Sequence, residues 1–308
     1  MARTRVIIDT DPGVDDAIAI LLALASDGLD VLAITTVTGN VPVELTTLNA
    51  RRLVDLAGRH DVVVARGSDV GLAGEPEEFV VVHGSDGLGD IEWDEPTVTE
   101  DPRHAVEVMR HFLDEEPLTI IAIGPLTNLA VLLERHPGIE QRVDRLVVMG
   151  GASFEGNVTP AAEFNIWADP IAAERVFSAS WPITVMPLDL THQATLNDNH
   201  LARLRSLGNE VGRRCADMLE PYAAFHDEWY GNRDVIMHDA MAVYEVMDPT
   251  AIVKQGVRVA VETGGTHAWG ATFIDRRREH AQSPVRVGVT VDNDRFVEVL
   301  LQHLARYQ

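Results

Sequence analysis

The chain has 308 residues, 46% of them hydrophobic and 24% charged, a composition typical of globular proteins with a sizeable core. Its net charge of -23 opposes sequence-independent contact with nucleic acid phosphates and with anionic membrane surfaces. Cys215 is the single cysteine, which excludes an intrachain disulfide, and no apolar stretch approaches the roughly 20 residues that cross a bilayer. We therefore expect a cytoplasmic protein whose partner is a small uncharged molecule, with no nucleic acid and no membrane.

Apolar runs alternate with amphipathic helical patterns over the first two thirds of the chain. The predicted strands are residues 5–9, 31–37, 62–65, 118–123, 145–149 and 183–187. The predicted helices between them are residues 15–25, 43–57, 102–115, 126–135 and 170–178. Because the strands are apolar at nearly every position, this βαβ rhythm indicates an α/β fold: a mostly parallel open sheet, Rossmann-like, with helices on both faces.

The last third of the chain is less regular. It contains predicted helices at 197–207, 211–226 and 238–247, then short β-like stretches and a closing helix at 293–307. Residues 68–99 are rich in glycine and acidic residues and predict a long loop, of the length found in functional lids. No linker or repeat interrupts the pattern, so we expect a single domain over residues 1–308.

Four carboxylates crowd the end of the first predicted strand. Asp9 and Asp11 flank Thr10, and Asp15 and Asp16 open the next helix after a Pro-Gly turn. Like charges at this density destabilise a fold unless a cation lies among them, and oxygen-only ligands favour Ca²⁺ or Mg²⁺. Helix capping is the alternative explanation, and it accounts for only one or two of the four.

Further polar residues follow other predicted strands, and parallel strands end at one edge of a sheet, where ligands bind. Each of these residues alone is more typical of an ordinary turn, or of a structural histidine in the case of His238. Several of them at one sheet edge indicate a site. They are Thr38-Gly39-Asn40, Gly124 to Asn128, Met149-Gly150-Gly151, Asn157, Glu163-Phe164-Asn165 and His238-Asp239.

These residues carry a resemblance to a known family. The run from Asp9 to Ala17, Asp-Thr-Asp-Pro-Gly-Val-Asp-Asp-Ala, resembles the N-terminal signature of the nucleoside hydrolases, the inosine-uridine preferring ribohydrolase family. The likeness continues in family order over residues 38–40, 83–84, 124–128, 147–151, 163–165 and 238–239. The resemblance implies Ca-dependent hydrolysis of the N-glycosidic bond of ribonucleosides, giving ribose and a free base.

The resemblance also implies roles for individual residues. Ca²⁺ would be bound by the side chains of Asp11, Asp16 and Asp239 and by the Ile123 carbonyl. Asp11 would also act as the general base that activates water, and His238 would assist the departing base. Asp9 would support the Ca²⁺ ligands without binding the ion itself. The ribose would contact Asp15, Asn40, Met149, Asn157, Glu163 and Asn165.

The base pocket is where the resemblance is weakest. His83 is similar to the inosine-uridine and pyrimidine-preferring branches, and Tyr230, eight residues before His238, resembles the pyrimidine-preferring enzymes. His226 departs from the tyrosine or glutamine of the family. These residues favour pyrimidine or inosine/uridine substrates slightly, and we expect plain helix packing for at least two of Tyr222, Phe225 and Trp229. The family also implies a homo-oligomer, a dimer or tetramer.

Two other functions compete with nucleoside hydrolysis. A haloacid-dehalogenase-like phosphohydrolase also begins with a strand that ends in Asp-x-Asp, but Gly13 occupies the position where that family has Thr or Val. That alternative leaves Asp15, Asp16 and the His238-Asp239 pair unexplained. The second alternative is a nucleoside-binding or ribose-binding protein that kept the fold and lost turnover.

Overall fold

The computed structural model describes residues 3–74 and 82–308, apart from the side chain of Tyr230. The strands are β1 Thr4–Thr10, β2 Leu29–Thr36, β3 Val63–Arg66, β4 Leu118–Ala122, β5 Val143–Met149, β6 Ile183–Met186, β7 Thr195–Leu196, β8 Val235–Ile236, β9 Ile252–Gly256, β10 Arg258–Val261, β11 Thr272–Asp275 and β12 Arg286–Val291. The α-helices are α1 Val14–Leu24, α2 Val43–Leu56, α3 Ala105–Glu115, α4 Thr127–Arg135, α5 Phe164–Ala168, α6 Pro170–Ser178, α7 Leu188–Thr191, α8 Asp198–Arg205, α9 Glu210–Tyr230, α10 Ala240–Met247 and α11 Asn293–Leu304.

The main sheet has eight strands in the order β3-β2-β1-β4-β5-β6-β12-β9. Neighbouring strands are parallel except at the edge, where β9 runs antiparallel to β12. The predicted mostly parallel α/β sheet is therefore confirmed. The first six strands have the order of a doubly wound fold, and the crevice for a ligand opens beside β1, where the strand order reverses.

Helices pack against both faces of this sheet, as predicted. Alternate side chains of β1 belong to two separate cores, with Val6 and Ile8 on one face and Ile7 on the other. The first core is shared with α1, α2, α9, α10 and α11, and the second with α3, α4 and α6. The strands are apolar at nearly every position because neither of their faces meets water.

Several boundaries differ from the sequence-based expectation. α3 begins at Ala105 instead of residue 102 because the His104 side chain caps it by accepting from the Val106 N–H. α9 extends past residue 226 and ends before Gly231, whose φ of 71° suits glycine. The described residues between 68 and 99 contain neither helix nor strand, in agreement with the predicted loop, and residues 75–81 lie outside the described residues. Within the described ranges, no helix is long and apolar enough to span a membrane.

A buried carboxylate in α10 is neutralised by cations from two strands of the main sheet, β9 and β5. Glu245 is 1% exposed and contacts Lys254 Nζ of β9 at 2.7 Å and Arg145 Nη1 of β5 at 3.4 Å. Burial raises the pKa of Glu245, and Lys254 opposes that rise. The only lysine of the chain thus ties the antiparallel edge of the sheet to a core helix.

We predict that Lys254→Met lowers the free energy of unfolding by about 2–4 kcal/mol. The buried carboxylate of Glu245 would then keep only the longer of its two cation contacts, the one with Arg145. Lys254→Arg keeps the charge and should lose less. The control is Arg203→Met, which breaks the half-exposed pair with Glu298 and should lose about 1 kcal/mol or less. Urea unfolding measures all three variants, and equal losses for Lys254→Met and Arg203→Met would contradict the prediction.

Candidate functional site

The polar residues that follow the parallel strands meet at the carboxyl-terminal edge of the sheet. Asp9 is paired with Thr35 of β2 and with Ala122 of β4 in the strand register, so β1 lies in the centre of this edge. α1 begins directly after the Pro12-Gly13 turn, and the Gly13 N–H donates to Asp16 Oδ2 at 3.0 Å. The predicted convergence of the strand ends is therefore observed.

Three carboxylates converge at the start of α1. Asp15, Asp16 and Asp239 each offer an oxygen within 4.8 Å of the other two, and all three are buried. Burial is the largest cause that raises the pKa of each, to about 8 for Asp15. Repulsion from Asp15, Asp16 and Asp11 also raises the pKa of Asp239. A cation bound among these carboxylates relieves that repulsion.

Asp11 lies beside this trio and is enclosed by backbone. Its Oδ2 accepts from the Asn40 N–H at 2.7 Å, whereas its Oδ1 is buried and has no hydrogen-bond partner. A Cβ atom on Gly39 would lie 2.0 Å from Oδ2 and one on Gly124 would lie 2.5 Å from Oδ1, so both positions require glycine. Asp11 does not line the cavity and does not belong to the trio, so its assignment as metal ligand and base stays a prediction.

Asp9 is hydrogen bonded to β2 and to the start of α4. Its Oδ1 accepts from Thr35 Oγ1 at 2.7 Å and from Asn128 Nδ2 at 2.9 Å, and its Oδ2 has no partner. Complete burial raises its pKa to about 7. Asn128 also donates to the Thr36 carbonyl and accepts from Ser68, so one amide joins three strand ends. A supporting role for Asp9 agrees with these contacts.

The donor set fits a hard divalent cation. Two buried carboxylate oxygens lack partners, Asp9 Oδ2 and Asp11 Oδ1, and no arginine or lysine lines the adjoining cavity in the described part of the chain. Anionic oxygens without a counter-charge are costly in a buried site, and Ca²⁺ or Mg²⁺ satisfies oxygen donors of this kind. The residues present therefore match the predicted metal site in chemistry.

A cavity of about 480 Å³ opens over the trio, and its far side presents a second set of polar groups. Glu163 caps α5: its carboxylate accepts from the Gly151, Asn165 and Ile166 N–H groups at 2.8–3.2 Å. Asn165 Nδ2 donates to the carbonyl of Ile123 at 3.0 Å, which orients that predicted metal ligand. The cavity wall also includes Asp15, Asn40, Met149 and Asn157, so all the residues predicted to bind ribose line it.

Four histidines also line the cavity. The predicted His83, His226 and His238 line it together with His192. Burial lowers the pKa of all four, to about 4 for His83, and the pKa of His238 falls well below its usual value. The Val14 N–H donates to His83 Nδ1 at 3.2 Å, so the proton of neutral His83 lies on Nε2, 3.9 Å from Asp15 Oδ1. These rings present neutral hydrogen-bonding groups to a ligand.

Aromatic residues of α9 complete the wall. Tyr222, Phe225 and Trp229 all line the cavity, and Tyr222 also packs in the core, so the expectation of plain helix packing for at least two of them stays a prediction. Trp229 is 70% exposed and stacks on Phe225 at 5.4 Å, and Tyr222 lies against His83 and His226. The i, i+3, i+7 spacing of these residues places them on one face over two helical turns. Tyr230 ends this helix, and its side chain lies outside the described residues.

Sequence reasoning missed the residues that follow β6. His192 lines the cavity beside His238, with ring centroids 5.7 Å apart, and Thr191 lies 2.8 Å from His238 Nδ1. The same signal that identified the other strand ends was present here, since Thr191 and His192 follow a buried parallel strand. The short helix α7, which was not predicted, places His192 at the cavity and Thr191 against His238.

Comparison with known proteins gives a consistent result. The sequence model of the family described as inosine-uridine preferring nucleoside hydrolase matches residues 6–298. A pyrimidine-specific ribonucleoside hydrolase, RihA, from Photobacterium profundum is 40% identical over 307 residues, covering 98% of this chain and 99% of its own length. RihA from Escherichia coli K12 is also 40% identical, over 306 residues, covering 98% of both chains.

Solved structures agree with these sequence matches. A plant nucleoside hydrolase, the PpNRh1 enzyme, superposes with a TM-score of 0.93 at 35% identity, covering 99% of this chain and all of that one. A purine-preferring ribonucleoside hydrolase from Gardnerella vaginalis gives a TM-score of 0.92 at 30% identity, covering 98% of both chains. Neither the phosphohydrolase nor the non-catalytic alternative is favoured by these matches.

The buried carboxylates predict how stability depends on pH when no cation is bound. Folding raises the pKa of Asp9 from 3.8 to about 7 and that of Asp15 from 3.8 to about 8. Between these pKa values, the folded state therefore holds protons that the unfolded state releases. The contribution of Asp9 and Asp15 to the free energy of unfolding is complete below about pH 4 and is lost as pH rises through about 7 to 8. We expect unfolding in chelator to need less urea at about pH 8 than at about pH 5.

Added Ca²⁺ should stabilise the protein most at the higher pH, because the ion binds the ionised carboxylates. Asp15→Asn should flatten the pH dependence measured in chelator, and the exposed control Asp114→Asn should leave it unchanged. Stability in chelator that rises with pH over this range would contradict the prediction.

Proposed function

The chain belongs to the inosine-uridine preferring nucleoside hydrolase family, and from this premise we propose that it uses Ca²⁺ and favours pyrimidine ribonucleosides or inosine. Members of this family are enzymes that cleave the N-glycosidic bond of ribonucleosides. The observation that carries the proposal is the trio of Asp15, Asp16 and Asp239 at the floor of a cavity whose other walls are polar and aromatic. This arrangement supports a bound cation below a sugar and a base.

Ca²⁺ would be bound by Asp11, Asp16 and Asp239 and by the Ile123 carbonyl. When bound, the cation supplies the positive charge that keeps these carboxylates ionised and orders ribose hydroxyls beside them. The free Oδ1 of Asp11 supports its proposed role as the base that takes a proton from the attacking water. Bond breaking builds positive charge on the ribose, and the dense carboxylates stabilise that charge.

The remaining polar residues would orient the ribose. Asp15, Asn40, Asn157, Glu163 and Asn165 border one cavity, which supports several simultaneous hydrogen bonds to the sugar hydroxyls. A 2′-deoxyribonucleoside would leave buried polar groups unpaired and should react more slowly. Met149, 2% exposed, would pack beside the sugar.

His238 would assist the departing base, with His83, His226 and Tyr230 around it. The neutral Nε2–H of His83 is a donor suited to a base oxygen. The name of the 40%-identical relatives, pyrimidine-specific ribonucleoside hydrolase, supports a lean to uridine and cytidine. We further propose that the chain acts as one domain and forms a cytoplasmic homo-oligomer, a dimer or tetramer.

A substrate panel tests this proposal. Inosine, uridine, cytidine, adenosine, guanosine and 2′-deoxyuridine are assayed for reducing sugar with and without chelator. We expect uridine, cytidine or inosine to react fastest, chelator to abolish the reaction, and Ca²⁺ to restore it. Activity that survives exhaustive chelation would contradict the role of the cation, and tight nucleoside binding without base release would indicate a non-catalytic binding protein.

Replacing the proposed base tests the mechanism. Asp11→Ala should lower kcat about 10³-fold or more, because water loses its proton acceptor. The circular dichroism spectrum of the variant should match that of the parent protein. Asp114→Asn, which alters an exposed carboxylate paired with Arg110, is the matched control and should keep full activity. Near-normal turnover by Asp11→Ala would refute the assignment.

A further inference from the structure

Two residues of the segment that follows β6, Thr191 and His192, contact the ring of His238. Thr191, the last residue of α7, lies with its Oγ1 2.8 Å from His238 Nδ1. The Thr191 side chain is completely buried, so bulk water does not compete for this contact. His192 lies edge-on to the same ring. Because His238 itself lines the cavity, its other ring nitrogen, Nε2, is the one available to a ligand.

Backbone hydrogen bonds hold this segment and His238 together. The Met237 N–H donates to the Ala194 carbonyl at 2.8 Å, next to the antiparallel pairing of β7 with β8. Gln193 Nε2 donates to the carbonyls of Asp189 and Val289 at 2.8 and 2.9 Å, which fixes the end of α7. The distance between the Thr191 hydroxyl and the His238 ring is thus set by two paired strands.

The surrounding hydrogen bonds favour the Thr191 hydroxyl as the donor to His238. The Thr191 hydroxyl has one proton and two acceptors in reach, His238 Nδ1 at 2.8 Å and the Leu188 carbonyl at 3.5 Å. The Leu188 carbonyl already accepts from the His192 N–H at 3.0 Å, and 3.5 Å is at the limit of a hydrogen bond. The shorter distance makes Nδ1 the better placed acceptor for the Thr191 hydroxyl. A Thr191 hydroxyl that donates to Nδ1 leaves the proton of the neutral ring on Nε2.

We propose that Thr191 is a positioning residue, whose hydroxyl holds His238 in the tautomer that presents Nε2–H to the departing base. This inference rests on the proposed function, in which His238 assists that base. When the C1′–N bond breaks, its electron pair goes to the base, and Nε2–H donates a hydrogen bond to the base atom that collects this charge. The opposite tautomer would present a lone pair there and repel the same charge.

The test compares two leaving groups. Thr191→Val removes the hydroxyl and keeps the shape, and Thr191→Ser keeps the hydroxyl. The substrates are the best ribonucleoside of the panel and 4-nitrophenyl β-D-ribofuranoside, whose 4-nitrophenolate leaves as a stable anion without a hydrogen-bond donor. We expect Thr191→Val to lower kcat on the ribonucleoside about 10- to 100-fold and to change kcat on the nitrophenyl riboside about twofold at most.

Thr191→Ser should restore most of the ribonucleoside activity. Thr184→Val is the control, since Thr184 is a buried threonine of β6 outside the cavity wall, and it should keep both activities. Equal loss on both substrates in Thr191→Val would overturn the proposal, because a general structural defect acts on both. A parent protein that hydrolyses neither substrate would refute the proposed function itself.

A direct measurement avoids any dependence on how the variants fold. The ¹⁵N spectrum of the imidazoles in the parent protein, with His238 assigned by its loss in His238→Gln, reports which nitrogen carries the proton. An unprotonated Nδ1 and a protonated Nε2 are expected for His238. A protonated Nδ1 on the neutral ring would overturn the proposal.

Discussion

The mutual repulsion of buried carboxylates at the end of β1 is the constraint around which the site is built. Asp9, Asp11, Asp15 and Asp16 are each at most 5% exposed, and Asp239 joins them from the start of α10. Proteins seldom bury like charges this densely without a counter-ion, since the ionised forms are strongly disfavoured. In the proposed function, a bound cation and a ribose relieve this penalty, so the same atoms would control stability and activity.

The walls of the cavity take their chemical groups from different elements of the fold. The carboxylate and amide groups come mainly from the strand ends and from α5, whereas the histidines and aromatic rings come from the end of α7, from α9, from the loop that contains His83 and from the turn before α10. Rigid strand ends suit groups that must stabilise charge without rearranging. In the proposed function, the first set would contact the sugar and the second set the base.

Much of the fold could be predicted because its signals are local. The buried strands are apolar at nearly every position, and Asp-Pro-Gly and Gly-Asn turns mark their ends, so six strands and the parallel topology follow from the sequence. α7 and the β7–β8 pair escaped prediction because helices of one turn and strands of two residues have no periodicity to detect. α9 was predicted too short because its final turn pairs exposed Trp229 with Phe225, a pattern that does not resemble a core-facing helix.

The sequence by itself determined the family and predicted the acidic metal site and the ribose-binding residues, because these depend on residue types at fixed spacing along strand ends. Tertiary structure alone decided which residues that are far apart in the sequence lie next to one another. It brought Asp239 to within 4.8 Å of Asp15 and Asp16, left Asp11 Oδ1 without a partner against Gly124, and set Thr191 on the Nδ1 of His238. The physical reason is that a spacing rule describes one element, whereas hydrogen-bond direction and burial arise only when elements pack.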